Sequence, residues 1–170
     1  RQETAWGWLA RTVSPARSPR ETREDVMQTA VIFDVDGTLA DVTSIRHYVL
    51  QRRKDFDAFH SLSVNVPPHA DVVSLAHDVQ AAGHAVVVVT ARSTQWRNHT
   101  AFWLALNGIP SDALFMRKKG DHRKDTFVKA DILARIRERY EVVHAVDDNP
   151  AIIALWESEG IPTTRVPGWV

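Results

Sequence analysis

From about residue 30 onward, short continuous apolar runs alternate with segments whose apolar residues recur every three or four positions. Five runs read as strands: 30–33 (AVIF), 85–89 (AVVVV), 113–116 (ALFM), 142–146 (VVHAV) and 163–166 (TTRV). Most are apolar throughout and rich in β-branched residues, as expected of strands covered on both faces. Between them, Val72, Leu75, Ala76 and Val79 keep helical spacing and stop at Gly83, and Val128, Ile132 and Ile136 do the same further on. Segment 94–106, with Trp96, Phe102, Trp103 and Leu106, ends at Asn107-Gly108, and Asn149-Pro150 supplies an N-cap and a first-turn proline for a last helix. Strand and helix in repetition predict a three-layer α/β fold, a central parallel sheet with helices on both faces.

Before this rhythm begins, "RTVSPARSPRETRED" (11–25) mixes Ser, Pro and both charges, and reads as a linker. Ahead of it "TAWGWLA" reads either as a short docking helix or as the remnant of an upstream domain. The expected division is an N-terminal extension over 1–29 and one domain over 30–170.

Composition narrows the possibilities without naming one. No apolar run approaches the roughly 18 residues of a membrane span, and no secretory signal pattern precedes the domain, so cytoplasmic residence is the default expectation. The absence of cysteine excludes a disulfide, a thiolate zinc site and a cysteine nucleophile. Lys plus Arg and Asp plus Glu number 21 each, so contact with a polyanion has to be local. The eight histidines show no metal-ligand spacing.

In open parallel sheets ligands bind at the carboxyl ends of the strands, and there the polar residues gather. Run 30–33 ends in Asp34 and Asp36, run 85–89 in Thr90 and Arg92, and run 142–146 in Asp147 and Asp148. In "RKDTFVK", Asp125 is expected to cap a helix whose first turns carry Lys129. A cation there is disfavoured by the helix dipole unless an anion sits nearby. Singly, each has a plainer reading: a turn with an N-cap for 147–150, a capping hydroxyl for Thr90, an i,i+4 partner of Asp125 for Lys129. Jointly they describe a metal and phosphate site. Carboxylates without His or Cys companions favour a hard ion such as Mg²⁺. One carboxylate can attack phosphorus, and a second can protonate the leaving oxygen and later activate water. Thr90 and Lys129 would stabilise the phosphoryl oxygens.

With Asp34–Thr38 as DxDGT, then Thr90, Lys129 and Asp147-Asp148 in that order, residues 30–170 resemble the haloacid dehalogenase superfamily of phosphohydrolases. The resemblance implies a sheet of order 5-4-1-2-3, with Asp34 as nucleophile and Asp36 as general acid-base. It also implies Mg²⁺ held by Asp34, the Asp36 carbonyl, and Asp147, Asp148 or both. About thirty residues separate Thr38 from the next helix, which leaves room for a minimal cap or none.

"VIFDVDGTLA", "VVVVTAR", "RKDTFVKADIL" and "AVDDNP" further resemble the 3'-phosphatase domain of phage polynucleotide kinase-phosphatases. That implies roles for Arg92, Asp125 and, in the flap after DxDGT, Arg46, with Thr38, Arg46 and Asp125 expected on the substrate side. The implied substrates are DNA or RNA 3' ends. GxxxxGK[ST] is absent and the chain begins at Arg1, so a kinase domain upstream in a longer parent chain is expected. "MRKKGDHRKD" (116–125), with five Lys or Arg against two Asp, either tracks a phosphate backbone or is a solvated loop. Trp96 and Trp103 are expected in the core, ahead of any role in base stacking. The alternatives are a nucleotidase or small-molecule phosphatase, which uses the same motifs, and a phospho-receiver, which orders them differently.

Overall fold

β1 (Gln28–Phe33) shows how the apolar runs are used: Val31 and Phe33 enter one core, Ala30 and Ile32 the other, and all four are fully buried. A strand that feeds two cores cannot alternate polar and apolar residues. The computed structural model describes residues 27–168. The docking helix and linker expected before residue 26 lie outside the described residues.

β1 is followed by two short helices, α1 (His47–Leu50) and α2 (Phe56–Leu62), then by α3 (Ala70–Ala81). β2 (Ala85–Ser93), α4 (Arg97–Leu106), β3 (Ala113–Arg117), α5 (Asp125–Ile136), β4 (Tyr140–Asp147), α6 (Pro150–Ser158) and β5 (Thr163–Arg165) complete the chain. The five strands form one parallel sheet of order β3-β2-β1-β4-β5, which read from the other edge is the expected 5-4-1-2-3. One core holds Leu75, Ala76 and Val79 of α3 with Trp103 and Leu104 of α4. The other holds Val128, Ile132, Leu133 and Ile136 of α5 with Ile152 and Trp156 of α6.

Local signals end these elements where the sequence indicates. α3 stops before Gly83, whose φ of 91° is open to glycine at little cost. α6 begins at Asn149, whose side chain accepts from the Ala151 amide at 3.0 Å, with Pro150 in the first turn. Asp125 is different. Lys124 occupies the N-cap and Asp125 the first helical position, so it is not the cap; its carboxylate is taken by Arg117.

Two features bring residues to the carboxyl edge of the sheet. β2 runs on past its apolar stretch to Ser93, and its ladder with β3 breaks between Thr90 and Ser93, leaving Ala91 and Arg92 out of register. Such a bulge bends the strand and re-aims a side chain. The segment carrying α1 and α2 leaves and returns through a clasp: Asp41 donates its amide to the Pro67 carbonyl at 2.9 Å, His69 to that of Leu39 at 2.8 Å, and Ala40 bridges Pro68. This is the only chain between β1 and α3, and it is too short for a separate cap domain. Among the described residues no helix is long and apolar enough to cross a membrane.

Candidate active site

Asp34 leaves β1 with its amide held by the Val146 carbonyl of β4 at 3.0 Å, so the ends of these two strands are tied together. Asp147 and Asp148 follow immediately on β4. Ligand oxygens of Asp34, Asp147 and Asp148 lie within 4.8 Å of one another, and all three residues are buried. Lys129, brought by α5 and itself buried, donates to Asp34 Oδ1 at 2.7 Å and to Asp147 Oδ2 at 2.8 Å. Its partner is therefore not Asp125, four residues earlier.

The charges in this cluster do not cancel. Burial pushes the Asp34 carboxyl well above its usual range; Lys129 opposes that, while Asp147 and Asp148 add to it. Burial and the charge of Asp147 likewise push Asp148 up to about 6. On Lys129 burial acts to lower the pKa, but Asp147 and Asp34 outweigh it and hold the ammonium charged above its usual range. One cation against three carboxylates leaves two negative charges, the charge of one divalent ion. The hydrogen bonds are incomplete in the same place. Asp148 Oδ1 accepts from Thr38 at 3.1 Å, whereas its Oδ2 is buried with no hydrogen-bond partner. An all-oxygen set with excess negative charge and an orphaned carboxylate oxygen fits a hard divalent cation.

Asp36 is handled separately. Arg92, buried through the bulge in β2, grips it with both arms of its guanidinium: Nε to Oδ2 at 2.9 Å and Nη2 to Oδ1 at 2.5 Å, while Nη1 reaches Thr100 Oγ1 at 3.2 Å. Burial would raise the Asp36 carboxyl, but Arg92's charge and hydrogen bonds outweigh it and hold it below its usual range. The Asp36 side chain therefore stands apart from the three-carboxylate cluster. Thr90 is buried where the apolar stretch of β2 ends, and its hydroxyl accepts from the Arg92 amide at 3.2 Å.

Asp34, Asp36, Thr90, Arg92, Asp125, Lys129, Asp147 and Asp148 all line one cleft of about 930 Å³. The remaining two expected residues do not. Thr38 is fully buried and donates to Asp148 and, at 3.3 Å, to Asp34 Oδ2; it positions carboxylates from below and is not on the substrate side. Arg46 sits at the start of α1, outside the cleft lining.

The cleft residues to which sequence reasoning gave no individual role at the site include Arg117, His60 and Trp96. Arg117, the last residue of β3, donates to the carbonyls of Ala91, Asp121 and Arg123 and pairs with Asp125, so it ties the basic loop to the bulged edge of β2. Its place at a strand end was the available signal. His60 comes from α2, where burial pushes its imidazole down to about 4. Trp96 lines the cleft as well, while Trp103 is fully buried with Nε1 donating to the Val66 carbonyl at 2.9 Å. The expected core role fits Trp103 alone, because Trp96 belongs to a 3₁₀ turn (Thr94–Trp96) ahead of α4 and does not share the buried face of that helix. The basic loop supplies Lys118, Lys119 and Arg123 to the cleft rim.

The sequence model of the family described as the polynucleotide kinase PNKP phosphatase domain matches residues 28–168. A protein of Autographa californica nuclear polyhedrosis virus, provisionally named a bifunctional polynucleotide kinase/RNA ligase, is 28% identical over 142 residues, 82% of this chain and 19% of that protein. A chain in the structure of the Pnkp1/Rnl/Hen1 RNA repair complex superposes with a TM-score of 0.72 at 26% identity, covering 91% of this chain and 46% of that one. The class C acid phosphatase of Bacillus anthracis, solved with tungstate bound, gives a TM-score of 0.66 at 13% identity over 85% of this chain and 68% of that one, a likeness of fold. The chain thus spans about a fifth of the viral relative and just under half of the repair-complex chain.

Proposed function

Since the chain belongs to the family of the polynucleotide kinase PNKP phosphatase domain, within the haloacid dehalogenase superfamily, we propose that it is a Mg²⁺-dependent phosphomonoesterase that removes 3'-phosphates from nucleic-acid ends. The observation that carries this reading is the convergence of Asp34, Asp147 and Asp148 around Lys129, beside a separately held Asp36.

Asp34 is the nucleophile. Lys129 on Oδ1 and Thr38 on Oδ2 fix the plane of its carboxylate at the cleft. An oxygen of Asp34 bonds to phosphorus as the bond from phosphorus to the sugar oxygen breaks, and Asp36, which has first to take up a proton against the pull of Arg92, gives that oxygen its proton. Asp36, now a carboxylate, takes a proton from water as the water oxygen attacks phosphorus. The bond between phosphorus and Asp34 then breaks, releasing inorganic phosphate. Arg92 favours the charged form of Asp36 and so suits the second step, and it aims the carboxylate in both. Thr90 and Lys129 stabilise charge on the phosphoryl oxygens. Mg²⁺ held by Asp34, Asp147, Asp148 and the Asp36 carbonyl would neutralise the excess negative charge and polarise the phosphoryl group. Asp125, paired with Arg117, anchors the basic loop, and Lys118 and Lys119 at the rim favour a polyanionic substrate over a neutral one.

Phosphate release with Mg²⁺ from a 3'-phosphorylated oligonucleotide is compared with release from nucleoside 3'-monophosphates, alongside the Asp34→Asn variant. The expectation is a preference for the oligonucleotide and loss of activity in Asp34→Asn. A large preference for the mononucleotides would reject the substrate, and surviving activity in Asp34→Asn would reject the covalent route.

A further inference from the structure

One wall of the cleft is made of aromatic rings that the phosphoryl chemistry does not use. Phe56 and His60 lie one turn apart on α2 with ring centroids 6.3 Å apart and planes inclined by only 22°. Trp96, from the turn before α4, continues the series with its centroid 5.7 Å from His60. All three line the cleft that holds Asp34 and Asp36. Phe56 is 53% exposed and faces the cleft. The Trp96 indole Nε1 and the His60 Nδ1 are buried without hydrogen-bond partners. His60 rests edge-on against the core residue Phe59, and all three rings keep part of their surface exposed.

Their place relative to the reacting groups defines what they can meet. His60 lies close enough to Asp36 for the two side chains to act on each other electrostatically. Asp36 serves the leaving oxygen, so the aromatic wall lies on the leaving-group side of phosphorus. In a 3'-phosphate the leaving oxygen is part of a sugar, and a nucleobase hangs one bond system away. Flat rings accept any base because every base has a π-face, and each stacked base is held by an amount an alanine substitution can detect.

We propose that the Phe56, His60 and Trp96 wall is the subsite for the nucleobase of the terminal nucleotide, which stacks there while its 3'-phosphate lies at Asp34. This rests on the substrate reading above. It assigns recognition of the end to α2 and the turn before α4, and it makes the site indifferent to which base is present.

The test uses the full chain with Mg²⁺ and three substrates: a 3'-phosphorylated oligonucleotide, the same oligonucleotide with an abasic last residue, and glycerol 2-phosphate, whose leaving group carries no ring. Trp96→Ala and Phe56→Ala should each lower kcat/KM on the intact oligonucleotide about tenfold relative to glycerol 2-phosphate, within the range one stacked base supplies. Trp96→Phe should restore most of the loss, and the abasic end should react equally with the original and substituted proteins. If the original protein acts well on the intact end but the alanine variants lose the same factor on all three substrates, the subsite is overturned and the substrate reading stands. If the original protein cleaves glycerol 2-phosphate and not the oligonucleotide, the substrate reading falls and the subsite with it.

Discussion

Replacing Lys129 with methionine and replacing Asp148 with asparagine should move the metal-free protein in opposite directions. Lys129 is 3% exposed and is shared by two buried carboxylates. Removing one partner of a buried pair costs about 3–5 kcal/mol, because the charge left behind has neither water nor a counter-ion. Against a total stability of about 5–15 kcal/mol that is a large loss, and for a domain of this size it lowers Tm by roughly 10 °C or more. Asp148→Asn removes a like charge instead. Folding raises the Asp148 carboxyl from 3.8 to about 6, so ionised Asp148 opposes folding. The effect is absent below pH 3.8, grows as pH rises, and is complete above about 6, on the order of 3 kcal/mol. The asparagine keeps an acceptor for Thr38, so much of this should appear as a gain in stability at pH 8. Urea denaturation with EDTA measures both. Adding Mg²⁺ at a hundred times its Kd should stabilise the original protein by about 2.7 kcal/mol and Asp148→Asn by far less. A Lys129→Met variant as stable as the original in EDTA, or an Asp148→Asn variant that is less stable, would refute the account of the site as a charge cluster awaiting a cation.

Arg92→Lys keeps a positive charge but loses the two-armed grip on Asp36 and the bond to Thr100, so kcat should fall about a hundredfold in a folded protein; a change below threefold by steady-state kinetics would count against a positioning role. A Cβ at Gly168 would stand 2.4 Å from both Asp148 Oδ2 and the Gly37 carbonyl oxygen, so Gly168→Ala should cost about 1–3 kcal/mol in urea denaturation, and no loss would mean that the tail does not pack there. His144, buried in β4 against Thr164 Oγ1 at 2.8 Å, is lowered by burial to about 4. The unfolded chain therefore binds a proton that the folded one does not between about 6.5 and 4. Stability should drop by on the order of 3 kcal/mol as pH falls through that window; His144→Gln should flatten the slope, and an unchanged pH profile would refute the assignment.

The sheet was legible because its strands are buried on both faces, which leaves uninterrupted apolar runs that few other structures produce. The carboxylates were legible because they follow those runs directly, so finding the strand finds the residue, and Lys129 was legible because a cation in the first turns of a helix calls for an anion nearby. What was hidden depends on contacts across long stretches of chain. Thr38 looked available to substrate, but it sits under Asp34 and Asp148, the latter 110 residues away. Asp125 read as a cap by spacing alone, whereas Arg117 competes for its carboxylate. Trp96 and Trp103 stand seven residues apart, yet the turn before α4 shifts Trp96 off the buried face. Arg46 lies in the stretch between β1 and α3, where the pattern is weakest. No helix is read there from the sequence, whereas the structure forms α1 and α2 in it, so nothing indicated which residues reach the cleft.

The clasp at Ala40 and Pro68 has a consequence for redesign. Because the chain leaves and re-enters the sheet edge at adjacent points, everything from Asp41 to Pro67 is a loop on a fixed base, and the carboxylates and Lys129 lie outside it. Doubling the length of such a loop adds only about 0.6 kcal/mol of closure entropy. The stretch could therefore be exchanged for one of different length, provided the replacement keeps the apolar residues it buries in the core, Val42, Ile45, Phe59 and Val66. Hydrolysis would stay with the strand ends, and the part of recognition that α2 supplies through Phe56 and His60 would travel with the insert.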